Sequence, residues 1–471
     1  MPLKLASLTI LLCVCVIANA RGVSAYLPLS LAPEIERRVE RLLILADDPV
    51  LTRPIAVARV LAALPRACER DAMLCGQVRS DLSNYTKPWG LSHASLSAGR
   101  GSSDRNVLPN RHGMQTDASF EASAEVYWQP SDFLLISAAV LSYEGGSVPV
   151  GSMLSVGTEF AQLDIGYREH WLSPMTDSAM LLSTAAETIP SVTLSNYTAL
   201  SRFKFRYELF LGELSESTRI RFQDGFTTGK PKLAGLHLSI EPFPGWSLGL
   251  SRIMQFGGGA RGGQSFGDIL DAFFRPSEFD NTSDDLTTDQ EFGNQAAAVT
   301  SRFLVPASTP FAVYFEYAGE DTSASSNYHL GNAALSAGVH FPLIGQRYEL
   351  TFEASEWQNA WYVHGIYEDG LRNENRVIGH WGGEGRVFAD GVGARTMMAR
   401  VGWQARNEDM YEITLRSLQN ESYTPTDYGT AYLIDMRYSR PWREFHFGAE
   451  LSVGRDSFGQ SYSHANAFVR F

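Results

Sequence analysis

From Trp89 to the C-terminus the chain repeats one pattern, in which apolar and polar residues take turns. Phe203, Phe205, Tyr207, Leu209 and Leu211 share one parity, and Arg202, Lys204, Arg206 and Glu208 the other. Phe445, Phe447, Ala449, Leu451 and Val453 alternate with Glu444, His446 and Glu450. Tyr348, Leu350 and Phe352 alternate with Arg347, Glu349 and Glu353. Phe311, Val313, Phe315 and Tyr317 repeat the pattern, as do Ile220 and Phe222 against Arg219 and Arg221, and Tyr411, Ile413 and Leu415 against Glu412 and Arg416. Sustained alternation predicts strands with one apolar and one polar face.

A soluble sandwich and an outer-membrane barrel both use such strands. The sandwich hides the apolar face, whereas the barrel shows it to lipid and turns the polar face to a lumen. Charged faces recur on almost every strand here, and aromatics flank the apolar stretches, which predicts the barrel. Phe471 ends the chain on one face with Val469, Ala467 and Ala465. A terminal aromatic on an alternating strand is what barrel-assembly machinery reads. The stretch 89–471 has room for roughly sixteen to eighteen strands of about ten residues. The fold class is therefore an all-β transmembrane barrel of about 18 antiparallel strands.

An even strand number brings both barrel ends to the periplasmic side, with turns such as Pro244-Gly245 and Arg440-Pro441. Longer connections then face outward. The longest, 257–293, begins Gly-rich (Gly257, Gly258, Gly259, Gly262, Gly263) and becomes acidic (Asp268, Asp271, Glu278, Asp280, Asp284, Asp285, Asp289). It is the candidate plug of the lumen.

Residues 26–88 keep a different period. Pro33-Glu34 opens a segment with apolar residues at Ile35, Val39, Leu42 and Leu43, a helical spacing. Pro54 opens a second helix that Pro65 ends, and a third runs to Leu82. This is a small periplasmic helical element. Cys68 and Cys75 lie within it, and a disulfide closing a small loop is their expected pairing. Two Cys without a CxxC spacing or a His cluster do not make a zinc site. Residues 1–25 read as a signal peptide: Lys4, then an apolar run from Leu5 to Ile17, too short to span a bilayer. Cleavage sites follow at Ala18-Asn19-Ala20 and Val23-Ser24-Ala25, the second of which leaves Tyr26 as the mature start.

Composition changes the picture in two places. Net charge is −13, which opposes a nucleic-acid partner. Mean hydropathy is −0.14, the value of a soluble protein. It excludes a helical membrane protein but not a barrel, half of whose strand residues face a polar lumen.

Catalytic and cofactor signatures are wanting. The Gly-rich run lacks the Gly-Lys-Ser/Thr ending of a phosphate loop, and its acidic continuation lacks the Asp/Asn spacing of an EF-hand. His380-Trp381-Gly-Gly-Glu384 is no zinc-protease helix, and there is no Gly-x-Ser-x-Gly elbow. Glu349, Glu353 and Glu356 suit a hydrated lumen as well as an acid/base pair. The reading is no enzyme and no cofactor. One segment does suggest binding. Trp357, Trp361, Tyr367 and Trp381 stand among Arg372, Arg376 and His380, a mixture that suits sugar rings or, equally, an interfacial aromatic girdle.

Several blocks together resemble the capsule-assembly Wzi family. They are His170-Trp171-Leu172-Ser173-Pro174 with Leu181-Leu182-Ser183-Thr184-Ala185 and Ile189-Pro190; Ser251-Arg252-Ile253-Met254-Gln255-Phe256-Gly257-Gly258 with Gly293-Asn294-Gln295; and Tyr348-Glu349-Leu350, His364-Gly365-Ile366-Tyr367 and Arg376-Val377-Ile378-Gly379-His380. The chain departs from the family pattern at Ala185, Gly259 and Glu374-Asn375. The resemblance implies an eighteen-stranded outer-membrane barrel, 89–471, that holds capsular or extracellular polysaccharide at the cell surface like a lectin and is not an enzyme. Its partners would be that polysaccharide, outer-membrane lipid and the barrel-assembly machinery, with the chain acting as a monomer. The alternative is a porin whose lumen is lined by Arg202, Lys204, Arg206, Arg219 and Arg221, a basic wall that favours anions.

Overall fold

The computed structural model describes residues 22–102, 105–274, 289, 291–323, 326–345, 347–359, 361–386, 391–406 and 408–471. Most of the signal segment, and Glu278, Asp280, Asp284 and Asp285 of the acidic stretch, lie outside the described residues.

Eighteen strands form the wall. They are β1 (Trp89–Gly101), β2 (Phe120–Ser131), β3 (Leu134–Tyr143), β4 (Met153–Thr158), β5 (Ala161–Gly166), β6 (Ser191–Ser195), β7 (Arg206–Glu213), β8 (Lys232–Phe243) and β9 (Trp246–Phe256). The second half comprises β10 (Gly293–Val305), β11 (Phe311–Gly319), β12 (Ala334–Ile344), β13 (Tyr348–Trp357), β14 (Ala394–Gln404), β15 (Met410–Asn420), β16 (Ala431–Trp442), β17 (Phe445–Arg455) and β18 (Ser461–Arg470). A short stretch, Gly146–Val148, extends β4 along β3. Every strand pairs antiparallel with its sequence neighbours. β18 returns to β1, from Ser95↔Arg470 to Gly101↔His464, and closes the barrel with no free edge.

Burial follows the alternation. Leu250, Val299, Phe315, Phe352, Val401, Ile413 and Leu451 are exposed on the outer surface, while Ser251, Thr300, Glu316, Glu353 and Thr414 are buried on the inner one. An exposed apolar belt around a closed barrel is a lipid-facing surface. Aromatics ring one end: Trp246 stacks on Phe243 at 5.8 Å and on Phe303 at 5.3 Å, Trp403 on Tyr411 at 5.0 Å, and Phe445 packs at 5.9 Å from Phe471. That end carries both barrel termini and the short turns. The turn at Pro244-Gly245 is there, but Pro441 lies within β16, opposite His446, and the chain reverses at Arg443-Glu444 instead. The opposite end carries the long connections. Among the described residues no helix is long and apolar enough to cross a membrane.

Three helices precede the wall: α1 (Pro33–Leu45), α2 (Val57–Cys68) and α3 (Ala72–Asp81). α2 passes through Pro65 rather than ending there, because Leu64 and Ala67 beyond the preceding turn are buried in the core shared with α1 and α3. The lost bond to the Leu61 carbonyl is outweighed by that packing. Cys68 and Cys75 are disulfide-bonded, Cα atoms 5.6 Å apart, and tie α2 to α3.

This element sits in the termini end of the barrel. Glu34 accepts a hydrogen bond from Ser439 of β16. Arg37 Nε donates to Glu349 Oε2 of β13 at 2.6 Å, and Arg302 Nη2 of β10 donates to Glu40 Oε2 at 2.6 Å. Glu40 also takes Arg53 Nη2 at 2.7 Å. Burial raises the Glu40 carboxyl, but Arg302 and Arg53 outweigh it and hold the group at about 2. Polar lumen residues thus serve as sockets for the helices rather than as a channel wall.

Candidate functional site

The loop end of the barrel is built by two connections that turn inward. The first, 167–190, joins β5 to β6, and the second, 361–386, lies between β13 and β14. β5 and β6 are short because the chain leaves the wall there.

The first segment descends far enough to meet the helical element. Arg53 and Trp171 exchange backbone hydrogen bonds at 3.0 Å. The amides of Thr176, Asp177 and Ser178 converge on the Glu353 carboxylate at 2.6, 3.1 and 3.1 Å. Three amide donors satisfy a carboxylate that would otherwise be costly to bury. Asp177 receives Arg416 through Nε and Nη2, at 2.8 and 2.6 Å. His170 stacks on Phe210 at 4.1 Å and bonds Glu208 at 2.8 Å.

The second segment packs onto the first. The fully buried Tyr362 hydroxyl donates to the Met180 carbonyl at 2.7 Å and accepts from the His380 amide at 2.8 Å. Ser183 N donates to Ile378 O at 2.9 Å. Tyr367 Oη donates to Gly257 O at 3.0 Å. Gly257 and Gly259 hold φ of 65° and 57°, and a Cβ on Gly259 would meet Thr227 Oγ1 at 2.5 Å. The Gly-rich run is a close backbone approach that seats these loops. Among the described residues the mouth is filled by 167–190 with 361–386; residues 275–288 and 290 of the expected plug, 257–293, lie outside the described residues. The described part of that connection holds one helix, α4 (Phe266–Phe274), packed on Phe256 and Phe292.

The residues singled out for sugar contact have mostly another role. Trp357, Trp361, Tyr367 and His380 are buried. Trp357 packs 4.9 Å from His380, and Trp361 Nε1 donates to Asn332 O at 2.5 Å. Burial holds His380 at about 3, against the pull of Asp177, so it carries no charge at neutral pH. Arg372 is tied to the carbonyls of Asn375 and Arg386 and to Glu384, and Arg376 reaches Glu384 at 3.5 Å. Arg372, Arg376 and Trp381 keep partial exposure. These side chains do not form one open sugar-stacking face, nor an interfacial girdle; they lock the plug.

The basic wall is likewise not formed. Ser201–Phe205 is a turn at the termini end, where Arg202 lies exposed over Phe203 and Lys204 pairs with Glu241 at 2.6 Å. Arg206 reaches inward to Asp48 of the helical element at 3.4 Å. Arg219 and Arg221 belong to a hairpin at the loop end, Ser217–Phe222 with Gly225–Gly229, and both pair with Glu368. Lys204, Arg206, Arg219 and Arg221 each pair with a carboxylate that alternation alone does not reveal. A cavity of about 280 Å³ remains between the helical element, 167–190 and the wall.

A few loop-end aromatics outside the wall strands are presented to solvent. Tyr423 and Phe458 are exposed on loop-end connections, and Tyr428 packs against Phe458 at 5.7 Å with Arg386 behind it at 5.6 Å. Phe226 is exposed on the hairpin. The available signal was their setting among Ser, Thr, Pro, Asp and Gly rather than in a strand.

Residues 98–448 match the family model of the capsule assembly protein Wzi. The chain belongs to the capsule-assembly Wzi family. The Wzi fold is also seen in a solved relative, Wzi of Escherichia coli, an outer-membrane protein involved in group 1 capsule assembly and described as a carbohydrate-binding β-barrel. It superposes with a TM-score of 0.68 at 15% identity, over 96% of this chain and 99% of that one. A Klebsiella pneumoniae protein of the cps region, uncharacterized and of 55.8 kDa, is 38% identical over 105 residues, 21% of this chain and 19% of that protein. The chain thus spans about a fifth of the curated relative it matches. Pseudomonas aeruginosa OpdQ superposes more loosely, with a TM-score of 0.48 at 10% identity over 81% of this chain and 96% of its own. Like the Wzi relative, this chain is an outer-membrane barrel. The blocks that carry the Wzi resemblance meet in space: 170–174 touches 181–185 through Leu172 and Leu182, 181–185 touches 376–380 through Ser183 and Ile378, and 251–258 touches 364–367 through Gly257 and Tyr367.

Proposed function

We propose that the protein attaches capsular or extracellular polysaccharide to the cell surface as a non-enzymatic, lectin-like barrel. The observation that carries this reading is a closed outer-membrane barrel that is filled rather than open, with exposed aromatic and cationic side chains gathered at its loop end. In this reading the helical element faces the periplasm and the loop end faces outward. A long repeating polymer contacts that surface through many weak contacts, and repetition raises the retention time. Binding needs no turnover. Family membership and the carbohydrate binding described for the E. coli relative support it.

The wall closes within one chain, which is consistent with a monomer, and the Phe471 face suits recognition by the barrel-assembly machinery. The channel alternative loses its support with the basic wall. The decisive experiment is deletion of the gene. Cell-bound polysaccharide should pass into the medium while total synthesis is unchanged; full retention in the deletion strain would refute the proposal.

A further inference from the structure

The hairpin Ser217–Phe222/Gly225–Gly229 has a two-faced strand that is not part of the wall. Ile220 is fully buried against Ile366 and Tyr367. Arg221 N donates to Ile366 O at 2.8 Å, and Glu368 N to Arg219 O at 3.1 Å, so the strand is laid onto the plug as a third edge. Its opposite face is turned to solvent. The Arg219 and Arg221 side chains are 54% and 43% exposed. Phe226 pairs directly across from Arg221, and its ring centre is 5.5 Å from the Arg221 guanidinium and 5.9 Å from that of Arg219. The ring itself is 53% exposed, so its face is open to a ligand.

Glu368 explains the order of this face. One carboxylate oxygen takes Arg219 and the other takes Arg221, and the carboxylate itself is almost fully buried. Each guanidinium carries five N–H donors. Glu368 therefore uses part of each fork and holds both in place, leaving the remaining donors toward solvent. Two exposed cations are not needed for solubility in a chain of net charge −13. Asp224 lies in the two-residue turn beyond the strand face, and Asp369 and Asp289 bond the hairpin at Ser217 and Gln223.

We infer that Arg219, Arg221 and Phe226 form a subsite for a carboxylated sugar ring, such as a uronate, within the polymer. The inference rests on the polysaccharide-attachment reading above and names the class of its ligand. The apolar C–H face of a pyranose lies on Phe226, and the ring carboxylate takes the free edge of a guanidinium, which matches carboxylate geometry with two parallel donors. A neutral sugar gains only the stacking half. The acidic chain thereby presents a local cationic point to an acidic polymer, despite the repulsion of its overall charge.

The test uses the full-length protein in detergent or liposomes. The probes are the polysaccharide extracted from the strain that carries it and the same polymer after chemical reduction of its carboxyl groups. The variants are Arg219→Gln/Arg221→Gln, Phe226→Ala and, as a charge-matched control at the far end, Arg443→Gln. Heat-modifiable migration on gels reports whether each barrel is folded. The double Arg variant should bind the native polymer roughly 5- to 20-fold more weakly, the range for two partly exposed ion pairs. It should bind the reduced polymer as the wild type does. Phe226→Ala should weaken both, and Arg443→Gln neither. Equal wild-type binding of native and reduced polymer, or unchanged binding by a folded double Arg variant, overturns the subsite while leaving polysaccharide attachment intact. Failure of the wild type to bind either polymer overturns both.

Discussion

Arg302 of β10 and Glu40 of α1, 262 positions apart in sequence, meet at 2.6 Å with their side chains only 1% and 3% exposed. Arg53 completes the pair as a buried triad. Removing one member of such a group leaves an unpaired charge, which costs about 3–5 kcal/mol. Glu40→Ala should therefore undock the helices without opening the wall. Limited proteolysis between residues 26 and 88 should rise steeply while heat-modifiable migration of the barrel persists. Unchanged protease resistance would show that apolar packing alone retains the helices.

The same triad sets a pH dependence. The Glu40 carboxyl lies at about 2, below its ordinary value, because the two guanidiniums outweigh the effect of burial. A depressed carboxyl contributes stability that is present above its unfolded pKa and lost as pH falls through the folded one. Docking of the helices should hold at neutral pH and weaken progressively from about pH 4 down to about pH 2. Glu40→Gln should show a smaller pH dependence than the wild type across that window, the remainder coming from the other carboxylates that dock the helices, such as Glu34. Hydrogen exchange in α1, followed against pH for both proteins, reads this directly.

The Cys68–Cys75 bridge closes a loop with a sequence separation of 7. A closure of that size stabilises by about 2–3 kcal/mol. Cys68→Ser/Cys75→Ser should make α2 and α3 more susceptible to protease and leave the β-sheet circular-dichroism signal unchanged. Loss of the whole barrel would mean that the helical element is needed for the wall to assemble.

Signal cleavage is open to a simple measurement. Val23, Ser24 and Ala25 are buried, Val23 N bonds Asp132 O at 2.6 Å, and Ser24 N bonds Gln162 Oε1 at 2.8 Å. Cleavage after Ala25 would discard these contacts, whereas cleavage after Ala20 would keep them. N-terminal sequencing of the mature protein should begin at Arg21; a start at Tyr26 would restore the first expectation.

Buried and exposed aromatics at the loop end should behave differently. Trp361→Ala removes a large side chain from the plug core, a change of about 3–5 kcal/mol. It should expose 361–386 to protease along with any loss of binding. Tyr423→Ala and Phe458→Ala should reduce polysaccharide binding with protease resistance unchanged. Planar-bilayer recordings on the wild type should show no large stable conductance, because both mouths are filled.

The two-residue period of Phe311–Tyr317, Tyr348–Phe352 and Phe445–Val453 determined these wall strands and which face meets lipid. The 3.6-residue period of Ile35–Leu43 determined α1. These are local properties, since lipid and lumen impose the same alternation at every point of a strand. Where the alternation misled, the partner was distant. Arg219–Phe222 alternates like a wall strand, yet Ile220 packs on Ile366 and Tyr367 at the mouth. Trp357, Trp361 and His380 have the composition of a sugar site, yet tertiary packing buries them. Polar lumen residues could equally have lined a channel or gripped a plug. Only the fold decided between these, because charges such as Arg302 and Glu40, 262 positions apart, are brought together by the tertiary structure alone.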